Sequence, residues 1–208
     1  MRDGLDVLVL GVGNILWADE GFGVRCAEHM AAQFDVPDGV EIIDGGTQGL
    51  ALVNDLAEAR HIIIFDAVDA GLKPAELVTV RGEDVPKFAV GKKVSLHQTS
   101  MMELLALAEF MGDAPEAITL IGCQPVVLED YGGGLTEDVA AQVAPAIEAA
   151  VEELKAWGFE AKPAKSEAAA ILPEAVGWKP YEANRPDADA ACRIGDDRVL
   201  ARLPMSGG

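Results

Sequence analysis

Basic residues are scarce in this 208-residue chain, with 16 Lys and Arg against 35 Asp and Glu and a net charge of −19. A phosphate backbone demands a cationic face, so this balance argues against a nucleic-acid partner. It leaves a solubilising surface, or attraction to a basic segment of another protein. The deficit is uneven: residues 1–158 hold 27 acids and 9 bases, residues 159–208 hold 8 and 7. Cysteine is also rare. Cys26, Cys123 and Cys192 lie far apart and form no CxxC pair, which argues against a disulfide framework or a thiolate zinc site and suits a reducing, cytoplasmic setting. No stretch approaches the roughly 20 unbroken apolar residues of a membrane span, so membrane insertion is not expected. A secretory signal is not expected either, because the start MRDGLDVLVLG carries two acids and no small-residue cleavage site follows a long apolar segment. No GxSxG elbow occurs, which removes the α/β serine hydrolases.

What is present is an alternation of short apolar runs with helical spacing. Val7 to Leu10 is all apolar and ends at Gly11-Val12-Gly13-Asn14, which reads as a strand buried on both faces followed by a tight turn. Gly23 to Gln33 resumes in helical spacing. Gly39 to Asp44 is a second strand ending in Gly45-Gly46-Thr47, and Gln48 to Ala59 a second helix. His61 to Asp66 is the most β-like run in the chain, and Glu76 to Arg81 alternates as an edge strand. Pro86 to Lys93 reads as a loop, His97 to Met111 as a helix, Ala117 to Cys123 as another buried strand, and Thr136 to Trp157 as one long helix with Glu137 and Asp138 in its first turn. This pattern predicts an α/β fold whose parallel or mixed sheet is covered on both faces. Beyond Gly158 periodicity fades and 5 of the 11 prolines fall in the last 50 residues. We read residues 1–158 as the domain and 159–208 as an extended or partly disordered extension that packs on it, without a convincing strand.

Polar groups gather where the predicted strands end: Asn14, Asp19 and Glu20 after the first, Asp44 after the second, Asp66 after the third, with His97 opening a later helix. In an open α/β sheet these ends share one edge, where ligands bind. Two carboxylates and an imidazole are a donor set for a divalent transition metal, Ni²⁺ or Zn²⁺, with positions left open for water or substrate. Each residue also has a plainer use. Glu20 suits a helix dipole, Asp44 a Gly-Gly turn, His97 a capping position, His61 a strand entry and His29 a helix face. Asp66 ends a deeply apolar strand, where an uncompensated carboxylate is costly, so function is favoured there. Dinucleotide binding is the rival reading of Gly11-x-Gly13 with Asp44, but Leu16 stands in place of the third glycine of GxGxxG, and Asp19 and Glu20 would repel a pyrophosphate. Adjacent in sequence, Asp19 and Glu20 do not form a proton-sharing carboxylate pair.

The ordered set LVLGVGNILWADEGFGV (8–24), EIIDGGTQGL (41–50), IIIFDAV (62–68), SLHQ (95–98) and LIGCQP (120–125) resembles the hydrogenase maturation proteases. These are nickel-dependent endopeptidases that trim the large subunit of [NiFe] hydrogenases. The resemblance implies a three-layer sandwich, a twisted, mostly parallel five-stranded sheet between helix layers. It places Glu20, Asp66 and His97 at the metal-contacting positions and Asp44, Gly45, Gly46 and Thr47 in a substrate-recognition loop. The nickel would arrive with the large-subunit precursor, and Glu20, Asp66 or Asp44 would serve the cleavage, an aspartyl-type endopeptidase in that its reacting groups are carboxylates. A nickel-checking chaperone that binds the precursor without cutting it is the alternative.

Overall fold

The computed structural model describes residues 5–46, 52–85, 115–128, 130–165 and 170–185. Its centre is a five-stranded sheet built from β1 (Val7–Val12), β3 (Val40–Gly46), β4 (His61–Ala67), β5 (Leu77–Arg81) and β6 (Ala117–Cys123), in the order β3-β1-β4-β6-β5. The first four pair in parallel and β5 runs antiparallel along β6. Every residue of β1 is buried, as its unbroken apolar run predicts.

Side-chain alternation divides the interior into two apolar layers. Val7, Val9, Ile63, Phe65, Ile121 and Cys123 face one layer, which α1 (Phe22–Gln33) closes through Phe22, Cys26 and Met30. Leu8, Leu10, Ile62, Ile64 and Leu120 face the other, where α2 (Val53–Glu58) contributes Leu56. Two opposed faces from one period-2 strand pattern make the three layers that the resemblance implies. The chain leaves β1 through α1 to reach β3 on one side, then returns through α2 on the opposite face to β4 on the other side. The order of strands therefore reverses between β1 and β4.

Two short helices, α3 (Glu137–Ala140) and α4 (Val143–Ala156), replace the single helix predicted from Thr136 to Trp157. Pro145 accounts for the break. It has no N–H to offer the carbonyl of Ala141, whereas the first turn of a new helix tolerates it. Beyond Gly158, where no strand was expected, β7 (Lys162–Pro163) pairs antiparallel with β2 (Phe34–Asp35). A final helix, α5 (Trp178–Asn184), lies against α1: the Trp178 amide donates to Glu28 Oε1 at 2.7 Å and its ring meets His29 at 4.5 Å between centroids. Arg25, only 3% exposed, holds the approach to this helix by donating to Glu28 Oε2 and to the Val176 carbonyl, each at 2.8 Å, with its guanidinium 5.4 Å from the centre of the Tyr181 ring. No helix among the described residues is long and apolar enough to cross a membrane.

Candidate active site at the sheet's switch point

The carboxyl ends of β1 and β4 bound the crevice where the strand order reverses, the usual ligand position in an open α/β sheet. Backbone packing there is very close. A Cβ on Gly23 would overlap the carbonyl oxygens of Phe65 and Val12, and one on Gly13, whose φ is +132°, would overlap the carbonyl of Glu20. The first turn of α1 and the turn before it are thus pressed onto the ends of both strands. This draws Glu20, in the 3₁₀ turn Ala18–Gly21, to the level of Asp66 near the end of β4, and the turn packs on that strand. Asp66 is 6% exposed, while Glu20 is partly open to solvent.

Asp44 sits one strand beyond β1. Gly11 pairs with Asp44 on one side and Phe65 on the other, so Asp44 and the Asp66 end of β4 are separated by about two strand spacings, roughly 10 Å. Asp44 Oδ1 accepts from the Gly46 amide at 2.8 Å, so it does hold the Gly-Gly turn, and Gly46 takes a φ of +44° that suits glycine. Burial raises the Asp44 carboxyl above the usual aspartate range, against the lowering effect of that hydrogen bond and of Arg25. His97 and Thr47 lie outside the described residues, as do the predicted loop 86–93, the predicted helix 97–111 and the first residues of the helix predicted from Gln48. Among the described residues, no three of His, Cys, Asp and Glu converge into a metal-holding group.

Neither of the other histidines belongs to this edge. His61 enters β4 at its opposite end, 5.0 Å from the Trp157 ring, and His29 is on the face of α1 that meets Trp178. Cys26 and Cys123 are buried free thiols. Burial pushes the Cys26 thiol well above its ordinary value, with Cys123 adding to the effect; burial, and the charge of Asp19, push Cys123 to about 12. At neutral pH both stay protonated, and neither offers the thiolate that nucleophilic or soft-metal chemistry needs.

Two residues matter in ways the sequence did not disclose. Asp19, expected at the edge beside Glu20, is fully buried instead. Its carboxylate accepts from the amides of Val126 at 2.9 Å, Val127 at 2.8 Å and Thr136 at 2.7 Å, and from the Thr136 hydroxyl at 3.2 Å. Successive residues of a 3₁₀ turn diverge by about 120°, so one acid turns inward as a bolt while its neighbour stays partly open to solvent. Gln124 joins the loop after β4 to the end of β6. It accepts from the amides of Ala70 and Leu72 at 2.9 and 3.1 Å and donates to Asp69 at 3.0 Å. A lone glutamine directly after an apolar strand was the signal available for it. Asn14, also expected to present its side chain at the edge, accepts the Leu16 amide at 3.0 Å and so shapes the turn.

A mostly parallel, doubly wound sheet with carboxylates at the ends of the strands where its order reverses defines a class of α/β proteins. Comparison with known proteins narrows the class. The sequence profile of the HycI hydrogenase maturation protease family matches residues 24–153. The chain is 53% identical over 194 residues to the hydrogenase expression/formation protein HupD of Rhodobacter capsulatus, covering 93% of this chain and 92% of that one. It is 46% identical to HoxM of Azotobacter vinelandii, covering 96% and 97%. Among solved structures, the hydrogenase maturating endopeptidase HybD from E. coli superposes with a TM-score of 0.72 at 42% identity, covering 76% of this chain and 97% of that one. The chain belongs to the hydrogenase maturation protease family and is a peptidase of that family.

Proposed function

We propose that this protein removes the C-terminal peptide from a [NiFe] hydrogenase large-subunit precursor after nickel has been inserted, and that it reads the nickel already carried by that substrate. The observation that supports this most directly is the pressing of the Glu20 turn against the end of β4, which brings two acids to the switch point. Two carboxylates without a thiolate are hard donors. They suit a nickel ion that is presented by another protein and released again better than one held permanently. Glu20 and Asp66, with His97 as the third donor, would grip the ion. A nickel ion beside the scissile bond would polarise its carbonyl or acidify an attacking water. Asp44 would serve as base, its affinity for protons enhanced by burial. Asp44, Gly45, Gly46 and Thr47 would line the path of the substrate chain. Glu20 and Asp66 would then act as catalytic groups as well as ligands, making this an aspartyl-type endopeptidase. A cytoplasmic location is supported by the two buried thiols left unpaired.

The test is processing of purified nickel-loaded precursor, followed by its length on a gel. Glu20→Gln, Asp66→Asn and His97→Ala should each slow trimming by at least about a hundredfold, the scale expected for loss of a metal ligand or its orienting partner. Normal trimming by all three removes the metal assignment. A wild-type protein that binds the precursor and leaves its length unchanged is a chaperone.

A further inference from the structure

The large apolar side chains that stand exposed among the described residues are Leu16, Trp17, Val126, Val127 and Tyr131, between 37 and 48% exposed. They come from two segments more than a hundred positions apart, yet they form one patch. Trp17 and Tyr131 make an antiparallel backbone bridge, and their rings meet edge to face at 5.3 Å. The Gly132 amide donates to the Leu16 carbonyl at 2.7 Å, and the Asp19 amide to that of Val127 at 3.2 Å. Under the patch the buried Asp19 carboxylate fixes the amides of Val126 and Val127. Scattered exposed apolar residues need no explanation, but a gathered, braced group does.

Its place adds the second argument. The amide of Glu20 donates to the carbonyl of Trp17 at 2.9 Å, so the patch continues directly from the turn that carries the candidate site. The third argument is charge: the body of the chain that carries this apolar face is strongly acidic overall, with 27 acids and 9 bases in residues 1–158. We infer that this patch docks the protein substrate, taking an apolar stretch of the precursor bordered by basic residues while Glu20 and Asp66 face the bond to be cut. Aromatic anchors beside apolar neighbours are the usual make-up of an interaction hot spot. Acidic surroundings speed the encounter with a basic partner. The inference rests on the reading of this protein as the precursor's protease and adds the surface by which it holds that substrate.

The experiment uses the full chain and nickel-loaded precursor, with affinity read by titration calorimetry and trimming by initial rates. The double variant Val126→Asp/Tyr131→Ser alters exposed side chains, gives up the Trp17–Tyr131 ring contact and should melt within about 4 °C of wild type. Its precursor affinity should fall at least about tenfold and KM should rise in step, while kcat at saturating precursor stays unchanged. Val126→Leu, which keeps the apolar surface, should match wild type. Wild-type binding should carry a negative heat-capacity change that shrinks in the double variant. Unchanged affinity and KM in the double variant overturn the proposal. So does a wild-type dimer that the double variant dissociates without loss of precursor affinity, because the patch then belongs to a second copy of this chain. Precursor that binds wild type through the patch but is never shortened leaves the docking surface standing and refutes the protease reading instead.

Discussion

Replacing Asp19 by asparagine tests whether the turn Ala18–Gly21, which carries the candidate site residue Glu20, is held in place by the buried carboxylate beneath it. Oδ2 accepts three donors, the amides of Val126 and Val127 and the Thr136 hydroxyl, and Oδ1 accepts the Thr136 amide. An asparagine must set its NH₂ toward one of these groups. Turned toward Oδ2's partners it opposes two backbone N–H groups; turned toward Oδ1's it opposes one, and this is the cheaper choice. Thr136 then loses its acceptor, at about 1–3 kcal/mol for a buried donor left unmet. The three remaining bonds lose the charge that roughly doubles their strength. Water reaching the exposed Val126 and Val127 positions recovers part of that loss, so the total is about 3 kcal/mol. For a chain of this size each kcal/mol moves the melting temperature by about 2–4 °C, which gives a drop of about 6–12 °C in a far-ultraviolet circular dichroism melt at neutral pH. A melt within about 2 °C of wild type would refute the bolt. In a variant that remains folded at the assay temperature, trimming should slow as well, because Glu20 follows directly in the same turn.

Arg25→Ala should free the segment that leads into α5. Chymotrypsin cleavage after Trp178 and Tyr181 should accelerate at least about tenfold in native buffer, since removing the buried cation leaves Glu28 and the Val176 carbonyl without their shared donor; cleavage at the wild-type rate would show that Arg25 is not the anchor. Cys26 and Cys123 should resist iodoacetamide in the native protein at neutral pH, as read by peptide mass spectrometry, and labelling of either at the rate of an exposed thiol would contradict their burial. Glu153 is nearly buried, which raises its carboxyl, but the Arg81 fork at 2.8–3.1 Å and the Thr119 hydroxyl at 2.9 Å outweigh that and hold it below the ordinary glutamate range. A lowered folded-state value means the carboxylate stabilises above the unfolded value and loses that contribution as pH falls through the folded one. Glu153→Gln should therefore cost about 1 kcal/mol at neutral pH, discounted because Arg81 is largely exposed, and the gap to wild type should close in acid; a gap independent of pH would sink the assignment.

Strands were the most legible part of the sequence. The runs predicted from Gly39, His61, Glu76 and Ala117 match β3, β4, β5 and β6 to within a residue or two, and the central pair β4 and β6 stood out because strands covered on both faces are largely apolar. The edge position of β5 was legible for the complementary reason, its alternation. The predicted helix from Thr136 was half right. Its spacing is helical throughout, but a proline divides it, and spacing alone does not weigh a missing N–H. β7 and α5 were invisible because their stability comes from what they touch. Two residues paired with Phe34–Asp35, and a short helix fastened by Arg25 and Glu28, carry almost no local signal.

Asp19 and Glu20 mark where sequence reading stops. Both are acids at the start of a helix, and nothing within several residues of either says which will turn inward. The deciding partners, Val126, Val127 and Thr136, are more than a hundred positions away and meet Asp19 only once β6 has been laid beside β4. Ala18 shows what the arrangement demands of the backbone: a buried alanine held at a φ of +43°, a conformation non-glycine residues adopt only under constraint. Asp19, fixed inward by four hydrogen bonds, follows directly; Trp17 before Ala18 is exposed and Glu20 after Asp19 is partly so. One buried carboxylate thus lies between the proposed metal-binding residue and the proposed docking patch, and it bonds the amides of two residues of that patch. Any substitution that loosens Asp19 should therefore weaken precursor affinity and slow cleavage together, whereas Glu20→Gln should slow cleavage and leave the patch's contribution to affinity in place.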